Sequence, residues 1–232
     1  MRITFGDDKS DNNMHYCLYY GGKYLIWLLL LLLTRYRVRG RENVPHQGPL
    51  LIVSNHLNLA DSPIVGIGIG RKMAFLAKEA LFRPRLAGYV LRRCGAFPVR
   101  RGGINKEALC KATHLMAQGM ALIMFPEGRR SPVRQLEPAF SGSAFIAMRS
   151  GAPILPASIY GTEKLSGLSW LIRRPEITVN IGRPFSLPPV AGKLTRAELT
   201  GLTDSIMERI AELLPAEYHG KYTRPETEKH ES

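Results

Sequence analysis

The sequence predicts an α/β fold, in which helices flank a mainly parallel or mixed sheet. Two observations predict this class. From about residue 42 onward, short apolar runs alternate with helix-like stretches, as they do in chains whose strands are joined by crossover helices. The 232 residues also favour one domain, or one domain with a short appendage, and suffice for a sizeable core.

Six short apolar runs predict the strands of this sheet. Each run has four to six residues and is rich in Leu, Ile, Val, Phe or Ala, which is typical of strands buried on both faces. The predicted strands cover residues 50–54, 73–77, 96–99, 121–125, 154–159 and 177–181.

Helix-start and helix-stop residues predict the helices between these strands. Asp61, read as a cap before an early Pro63, opens the first helix. Further helices are predicted from near Pro84, from Asn105 to Gly119, over residues 142–150, and after the capping box of Thr195 and Glu198.

An apolar segment near the amino terminus stands apart from the α/β pattern. Residues 24–33 read YLIWLLLLLL and precede a basic cluster of Arg35, Arg37, Arg39 and Arg41. A ten-residue helix is only about 15 Å long, against about 30 Å for the hydrocarbon layer of a bilayer. We therefore predict a membrane-associated helix that dips into one leaflet, with its arginines on anionic headgroups. A signal-peptide apolar region and a buried core helix compete with this interpretation.

These features divide the chain into three parts. Residues 1–41 form the amino-terminal segment, residues 42–215 the α/β domain, and residues 216–232 a loose polar tail with few side chains that could pack. The near-average 45% of apolar residues excludes a disordered chain or a multi-span membrane protein.

Charge and cysteine content narrow the class of partner and the compartment. The formal net charge of +13 favours anionic partners such as phosphate, coenzymes, membrane headgroups or nucleic acid. The three cysteines are odd in number and lack C-x-x-C spacing, which argues against a disulfide scaffold or a structural zinc site. We expect a reducing compartment, no metal ion and no bound cofactor.

The first candidate for chemistry is the segment SNHLNLAD, residues 54–61, which follows a predicted strand. In α/β sheets, ligands bind outside the carboxyl ends of the strands, and His56 lies at such an end. A neutral imidazole can take the proton from an alcohol, and a carboxylate such as Asp61 can fix its tautomer. In the competing interpretation, Asp61 only caps a helix and His56 bonds to loop backbone.

Two further segments follow other predicted strands. Residues 95–103 place Arg100 and Arg101 before a helix, where guanidinium groups and backbone amides suit a phosphate. Residues 125–131, FPEGRRS, place Glu127 at a strand exit beside Gly128 and Arg130. Ordinary basic or proline-glycine turns are the competing interpretation. If the sheet is mainly parallel, His56, Arg101 and Glu127 leave it at one edge.

Together these segments resemble the glycerolipid acyltransferase family. The matching blocks are N-H-x4-D ending at Asp61, G-x5-R ending at Arg101, F-P-E-G-x-R-S at residues 125–131 and I-L-P at 154–156, in the family's order. The resemblance covers roughly residues 36–185. The best-known members of this PlsC-like family are the lysophosphatidic acid (1-acyl-sn-glycerol-3-phosphate) acyltransferases.

The resemblance implies roles for individual residues. His56 would be the catalytic base and Asp61 its partner. A further set would contact the glycerol phosphate of the acceptor, namely Arg101, Glu127, Gly128, Arg130 and Ser131. Secondary candidates are Asn55, Arg100 and Pro156, the last in a block that shapes the site or the acyl pocket.

The resemblance also implies a reaction and its substrates. A fatty acyl group would move from acyl-CoA or acyl carrier protein to the free hydroxyl of a lysophospholipid acceptor, giving phosphatidic acid on the cytoplasmic side of a membrane. The chain departs from the family where Arg129 replaces a usual Thr and where Ala139 and Phe140 replace an aromatic-lysine pair. Three alternatives remain: a related acyltransferase using glycerol 3-phosphate or another lysolipid, a basic nucleic-acid-binding protein, and an inactive membrane adaptor.

Overall fold

A computed structural model describes residues 21–22, 24–93, 95–99, 106–167, 169–188 and 195–223. Over these ranges the strands form one seven-stranded sheet, in the order β1-β7-β6-β2-β5-β3-β4. The strands are β1 Arg35–Arg39, β2 Leu50–Ser54, β3 Met73–Lys78, β4 Ala96–Val99, β5 Ala121–Met124, β6 Ile154–Tyr160 and β7 Glu176–Ile181.

The sheet is mixed and mainly parallel, as the sequence predicts. Strands β4, β3, β5, β2 and β6 all run in one direction, whereas β7 is antiparallel to β6 and β1 pairs in parallel with β7. Strands β2 and β5 are direct neighbours, with Leu50 opposite Ala121 and Val53 opposite Met124. The segments that follow these two strands therefore leave the sheet side by side.

Helices cover both faces of this sheet. One face packs against α4, α5 and α7, and the other against α1 and α2, so that all five residues of β2 are buried. The helices are α1 at residues 24–33, α2 Asp61–Ile69, α3 Arg85–Arg93, α4 Lys106–Ala117, α5 Gly142–Ser150, α6 Trp170–Arg173 and α7 Arg196–Ala211.

All six predicted strands are present, and each boundary agrees within one residue. The predicted capping box also forms at the start of α7, where the Thr195 hydroxyl accepts from the Glu198 amide and the Glu198 carboxylate accepts from the Thr195 amide. Among the strands of the described residues, β1 is the one that the sequence pattern does not predict. The basic cluster predicts contact with membrane headgroups, and in the structure Arg35, Arg37 and Arg39 lie in an edge strand of the sheet.

Strand β1 shows why the arginine-rich segment folds as part of the domain. Along it, Tyr36 and Val38 pack into the core while Arg35, Arg37 and Arg39 face outward. This alternation has the period of two that places side chains on opposite faces of a strand. The sheet therefore begins before residue 42, and the predicted boundary there is wrong.

The predicted loose tail is also wrong over residues 216–223. Two 3₁₀ turns, Ala216–Tyr218 and Gly220–Tyr222, fold this segment back onto the domain. Tyr222 is buried in the core beneath α7, and the Tyr218 hydroxyl donates to Glu163. Both tyrosines help to anchor the segment because each combines a large apolar ring with a polar tip. Residues 224–232 lie outside the described residues.

Helix α1 packs along a narrow stripe and leaves most of its leucines exposed. Leu30 is buried and Ile26 packs beside it, at the spacing of one helical turn, against the core face that carries α2. The exposed apolar side chains of α1 are Tyr24, Leu25, Trp27, Leu28, Leu29, Leu31 and Leu32. Among the described helices, none combines the length and the hydropathy needed to cross a bilayer.

Candidate active site

The site begins where β2 ends, and Asn55 fixes its first turn. The Asn55 side chain donates to the carbonyl of Ile159 at 2.8 Å and accepts from the amide of the same residue at 2.8 Å. Asn55 is buried, so both hydrogen bonds are shielded from water. This secondary candidate therefore joins the end of β2 to β6 and orients the loop that carries His56.

Asp61 binds the loop that precedes it. The sequence predicts Asp61 as a helix cap, but it is the first residue of α2, and Ala60 is the N-cap without a side-chain cap bond. One carboxylate oxygen, Oδ2, accepts instead from the amides of Leu57 at 2.6 Å and Asn58 at 2.7 Å. The same oxygen lies 2.8 Å from Nδ1 of His56, and the Asp61 side chain is fully buried.

The His56 imidazole is held by this carboxylate and by an aromatic ring. Its ring stacks on Phe125, with centroids 4.2 Å apart and planes inclined by 20°. Because an ionised carboxylate only accepts hydrogen bonds, the Nδ1 contact to Asp61 leaves the lone pair on Nε2. Within the described residues Nε2 has no hydrogen-bond partner, and His56 lines a cavity. The arrangement is that of a general base whose partner fixes its tautomer.

Glu127 is buried and connects the loop after β2 to the loop after β5. It follows β5, is 1% exposed, and accepts from the His56 amide at 3.2 Å through one oxygen. Its other oxygen accepts from the Glu137 amide at 3.2 Å. Burial is the main reason that the pKa of Glu127 is raised to about 7, although both amides oppose the shift. Glu127 does not line the cavity, so its contacts hold backbone.

The parallel sheet therefore brings His56 and Glu127 together, as the convergence of β2 and β5 predicts. Arg100 and Arg101, the other residues expected at this edge, lie outside the described residues. Pro156 is not at the cavity: it lies in β6, against Gly182. The reason is strand alternation, which directs Pro156 to the face of the sheet opposite Leu155 and Ala157.

The FPEGRRS loop is fixed by its backbone and by Phe140. The Ser131 amide donates to the His56 carbonyl at 2.8 Å, and its hydroxyl accepts from the Gln135 amide. Gly128 adopts a φ of +66°, and a Cβ there would lie 2.9 Å from the Phe140 ring. Only glycine meets both conditions without strain. Gly128 and Ser131 thus shape the loop wall and line the cavity.

A cavity of about 1400 Å³ opens beside His56. Its walls are mainly apolar and come from α1, α2, α3 and the carboxyl end of the sheet. Apolar lining residues include Leu25, Ile26, Ile67, Phe75, Leu76, Leu81, Val90, Leu91 and Phe140. Cavities of this character suit a ligand with a long hydrocarbon part, because burial of apolar surface is favourable.

The polar side of the cavity carries positive charge. Lys78, Arg129 and Arg130 line it together with His56. Arg129 pairs with Glu137, whereas Arg130 has no ion-pair partner among the described side chains. No sequence motif predicts Lys78, although it is the last residue of β3, next to β5, and so lies at the same edge of the sheet.

Fold and site together define an enzyme class. An imidazole-carboxylate pair at the carboxyl edge of a parallel sheet, beside an apolar cavity with a cationic rim, suits activation of a hydroxyl on an amphiphilic anionic substrate. Comparison with known proteins agrees. The family model described as Acyltransferase matches residues 35–160, more than half of the chain. The chain belongs to this acyltransferase family.

Individual relatives extend the similarity. A 1-acyl-sn-glycerol-3-phosphate acyltransferase of Borreliella burgdorferi is 30% identical over 188 residues, which cover 76% of this chain and 70% of the relative. The Bacillus subtilis protein of the same name is 28% identical over 178 residues, covering 76% of this chain and 87% of its own. The chain spans about half the length of the matched chloroplast relative from Brassica napus, which is 26% identical over 167 residues, or 69% of this chain and 48% of the relative.

A solved structure shares the fold. The crystal structure of the 1-acyl-sn-glycerophosphate (LPA) acyltransferase PlsC from Thermotoga maritima superposes with a TM-score of 0.63 at 26% identity. The match covers 88% of this chain and 80% of that one. The mixed sheet with flanking helices is thus the architecture of a solved acyltransferase.

Proposed function

We propose that this chain transfers a fatty acyl group from acyl-CoA or acyl carrier protein to the free hydroxyl of lysophosphatidic acid, giving phosphatidic acid. Membership of the acyltransferase family and the names of the similar bacterial proteins support the reaction class. The observation that carries the proposal is the His56-Asp61 pair, 2.8 Å apart, beside an apolar cavity with a cationic rim.

The proposed reaction uses His56 as a general base. Nε2 takes the proton from the acceptor hydroxyl as its oxygen attacks the thioester carbonyl, and Asp61 stabilises the imidazolium that forms. The tetrahedral intermediate then collapses, the carbon-sulfur bond breaks, and the imidazolium returns the proton to the leaving thiolate. An ester and a free thiol result, and no acyl-enzyme is needed. The thioester is already activated, so positioning the two substrates supplies much of the rate enhancement.

We assign the acyl chain to the apolar side of the cavity and the acceptor phosphate to its cationic side. Its volume of about 1400 Å³ exceeds the ~300–1,000 Å³ of ordinary small-molecule sites, which suits a ligand with a long acyl chain. On the polar side we assign the acceptor phosphate to Arg130 and Lys78, with Arg101 and Arg100 as further contacts. We assign Glu127 to positioning, because it holds the His56 and Glu137 amides and does not line the cavity.

We also propose that the enzyme works on a membrane, with its site on the cytoplasmic side. Acceptor and product are amphiphiles that reside in lipid, and the outward face of α1 presents leucines that can enter a leaflet. The formed His56-Asp61 pair favours this enzyme over an inactive adaptor, and the family match favours it over a nucleic-acid-binding protein.

The test follows release of free thiol from an acyl thioester in the presence of lysophosphatidic acid. His56→Ala should lower turnover by about 10²- to 10⁴-fold, the usual contribution of a positioned general base. Arg130→Ala should chiefly raise the KM for the acceptor. The matched control is His114→Ala, because His114 is an exposed histidine of α4 whose ring contacts Gln118. A His56→Ala enzyme with wild-type turnover would overturn the proposal.

A further inference from the structure

Helix α3 presents apolar side chains to solvent. Leu86 is 77% exposed, Val90 is 46% exposed and Tyr89 is 41% exposed. Spacings of three and four residues place these side chains on one side of a helix. The opposite side faces the protein, where Gly88 lies so close to the backbone that an added Cβ would be 2.5 Å from the Phe82 carbonyl oxygen.

This outward side of α3 leads into the cavity beside His56. Ala87, Val90 and Leu91 of α3 line the cavity, and Leu25 and Ile26 of α1 line it as well. The cavity therefore lies between two helices, each of which exposes large apolar side chains to solvent. A surface that contacts both exposed faces would meet the cavity between them.

The charges around α3 indicate what that surface is. Arg83, Arg85 and Arg92 are exposed, and Arg85 and Arg92 lie two turns apart on the same side of the helix. The Arg92 guanidinium lies 5.4 Å from the centre of the Phe82 ring, beside the inward side of α3. Arginines flanking an exposed apolar side are typical of helices that lie in the interface of an anionic bilayer.

We propose that α3 is a second lipid-binding element, which inserts Leu86 and Tyr89 into the interface of a bilayer with anionic headgroups while Arg83 and Arg85 contact the phosphates. The nine residues of α3 span about 13.5 Å, so the helix lies in the interface and does not cross it. The inference rests on the proposed function in one respect: with α1 and α3 both on the bilayer, the cavity opens towards the lipid that supplies the acceptor.

Binding of the full chain to vesicles tests the proposal directly. The titration uses vesicles with about 30% phosphatidylglycerol in phosphatidylcholine, near the lipid concentration that binds half of the wild-type protein, so that α1 does not saturate the signal. Leu86→Gln should lower the partition coefficient about tenfold, because a largely exposed leucine no longer enters the interface. Leu86→Trp should keep or raise it, since Trp favours the interface.

A charge variant separates the lipid headgroup from the acyl chains. Arg85→Glu should lower binding to the anionic vesicles about tenfold and leave binding to pure phosphatidylcholine unchanged. Leu86 and Arg85 are both exposed side chains, so thermal unfolding of each variant should match that of the wild type. Wild-type binding by Leu86→Gln would overturn the proposal. So would a change of oligomeric state without a change in vesicle binding, which would show that α3 contacts a second copy.

Activity distinguishes failure of this inference from failure of the proposed reaction. With an acceptor presented in anionic vesicles, Leu86→Gln should lose about tenfold in rate at limiting lipid. With a short-chain acceptor below its critical micelle concentration, Leu86→Gln and the wild type should be equal. If neither enzyme turns over either acceptor, the proposed reaction fails. If Leu86→Gln and the wild type use the acceptor in vesicles equally well, the role of α3 fails.

Discussion

At the scale of single residues, buried polar side chains give the reactive loop its shape. Asn55 and Asp61 between them receive or supply five hydrogen-bond contacts, to Ile159, Leu57, Asn58 and the His56 ring. These contacts replace the strand ladder where β2 ends. Because buried polar groups are costly when unpaired, the loop is strongly biased towards the one conformation that pairs them.

The Asn55 contacts predict a measurable loss of stability. Asn55→Ala removes two buried hydrogen bonds at 2.8 Å and leaves the Ile159 amide and carbonyl unpaired, which should cost about 2–4 kcal/mol of unfolding free energy. Asn43→Ala is the matched control, since Asn43 makes one half-buried bond to the Ile181 carbonyl and should cost about 1 kcal/mol. Urea unfolding measures both. Equal losses in the two variants would contradict this account.

Glu127 predicts a pH dependence with a defined sign. Burial raises its pKa from 4.5 to about 7, so the folded protein binds more protons than the unfolded chain between these values. The contribution of Glu127 to stability is therefore full below pH 4.5 and falls as the pH rises towards 7.

Glu127→Gln tests this sign. Gln accepts through one oxygen only, so one of the two amides loses its partner at every pH and the variant is less stable. Its deficit relative to the wild type should shrink between pH 5 and pH 7, because only the wild type loses stability on ionising Glu127. The exposed Glu208→Gln serves as the control in urea titrations at both pH values. A deficit that grows with pH would refute the direction of the shift.

At the scale of elements, the loop after β5 depends on one glycine and one aromatic side chain. Gly128 combines a positive φ with close contact to the Phe140 ring. The Phe140 amide also donates to the Pro126 carbonyl, so the two ends of the loop are joined across Gly128. Phe140 stands where the family pattern has a lysine, and its side chain forms part of the cavity wall.

This pairing predicts coupling between the two positions. Gly128→Ala should lower the unfolding free energy by about 1–2 kcal/mol, because alanine is strained in the left-handed backbone conformation. A second loss should come from moving the Phe140 ring, whose atoms would lie 2.9 and 3.0 Å from the added Cβ. In the double variant with Phe140→Ala, the loss due to moving the ring should disappear, and only the loss due to backbone strain at Gly128 should remain. Unfolding free energies of the two single variants and the double variant measure this coupling. Strictly additive losses would show that Phe140 does not constrain Gly128.

The elements also show which features of the fold sequence patterns can predict. The six predicted strands are nearly all apolar, so a run of hydrophobic residues was sufficient to find them. Strand β1 reads RYRVR and is apolar at only two positions, because its other side chains face solvent at the edge of the sheet. The segment 216–223 escaped prediction for a related reason: its packing depends on Tyr218 and Tyr222 meeting distant residues, which no local periodicity encodes.

At the scale of the whole molecule, topology explains how much of the site was predictable. Parallel neighbours β2 and β5 bring His56 and Glu127 to one edge, which follows from strand direction alone. The same reasoning did not reveal that Glu127 lies beneath the loops, that Pro156 faces the opposite side, or that Lys78 lines the cavity. Burial and side-chain direction depend on packing between elements, so a list of motifs does not determine them.

The distribution of exposed leucines predicts how the molecule meets a bilayer. On α1, Leu30 is 6% exposed and packs in the core, whereas Leu28 is 45% exposed and lies outside the cavity. Leu30→Ala should therefore cost about 2–5 kcal/mol of unfolding free energy. Leu28→Gln should leave that free energy within about 0.5 kcal/mol of wild type and weaken vesicle binding about tenfold.

Leu28 and Leu30 lie two residues apart on one helix, so a general loss of helix content would affect both variants alike. Such a loss would not lower stability in one variant and vesicle binding in the other. Urea unfolding without lipid and a vesicle titration with limiting lipid measure them separately. The expected result is a crossed pattern, in which the Leu30 variant loses stability and the Leu28 variant loses binding. If Leu28→Gln unfolds as readily as Leu30→Ala and still binds vesicles like the wild type, the outward face of α1 packs against protein and the proposed seating on the membrane fails.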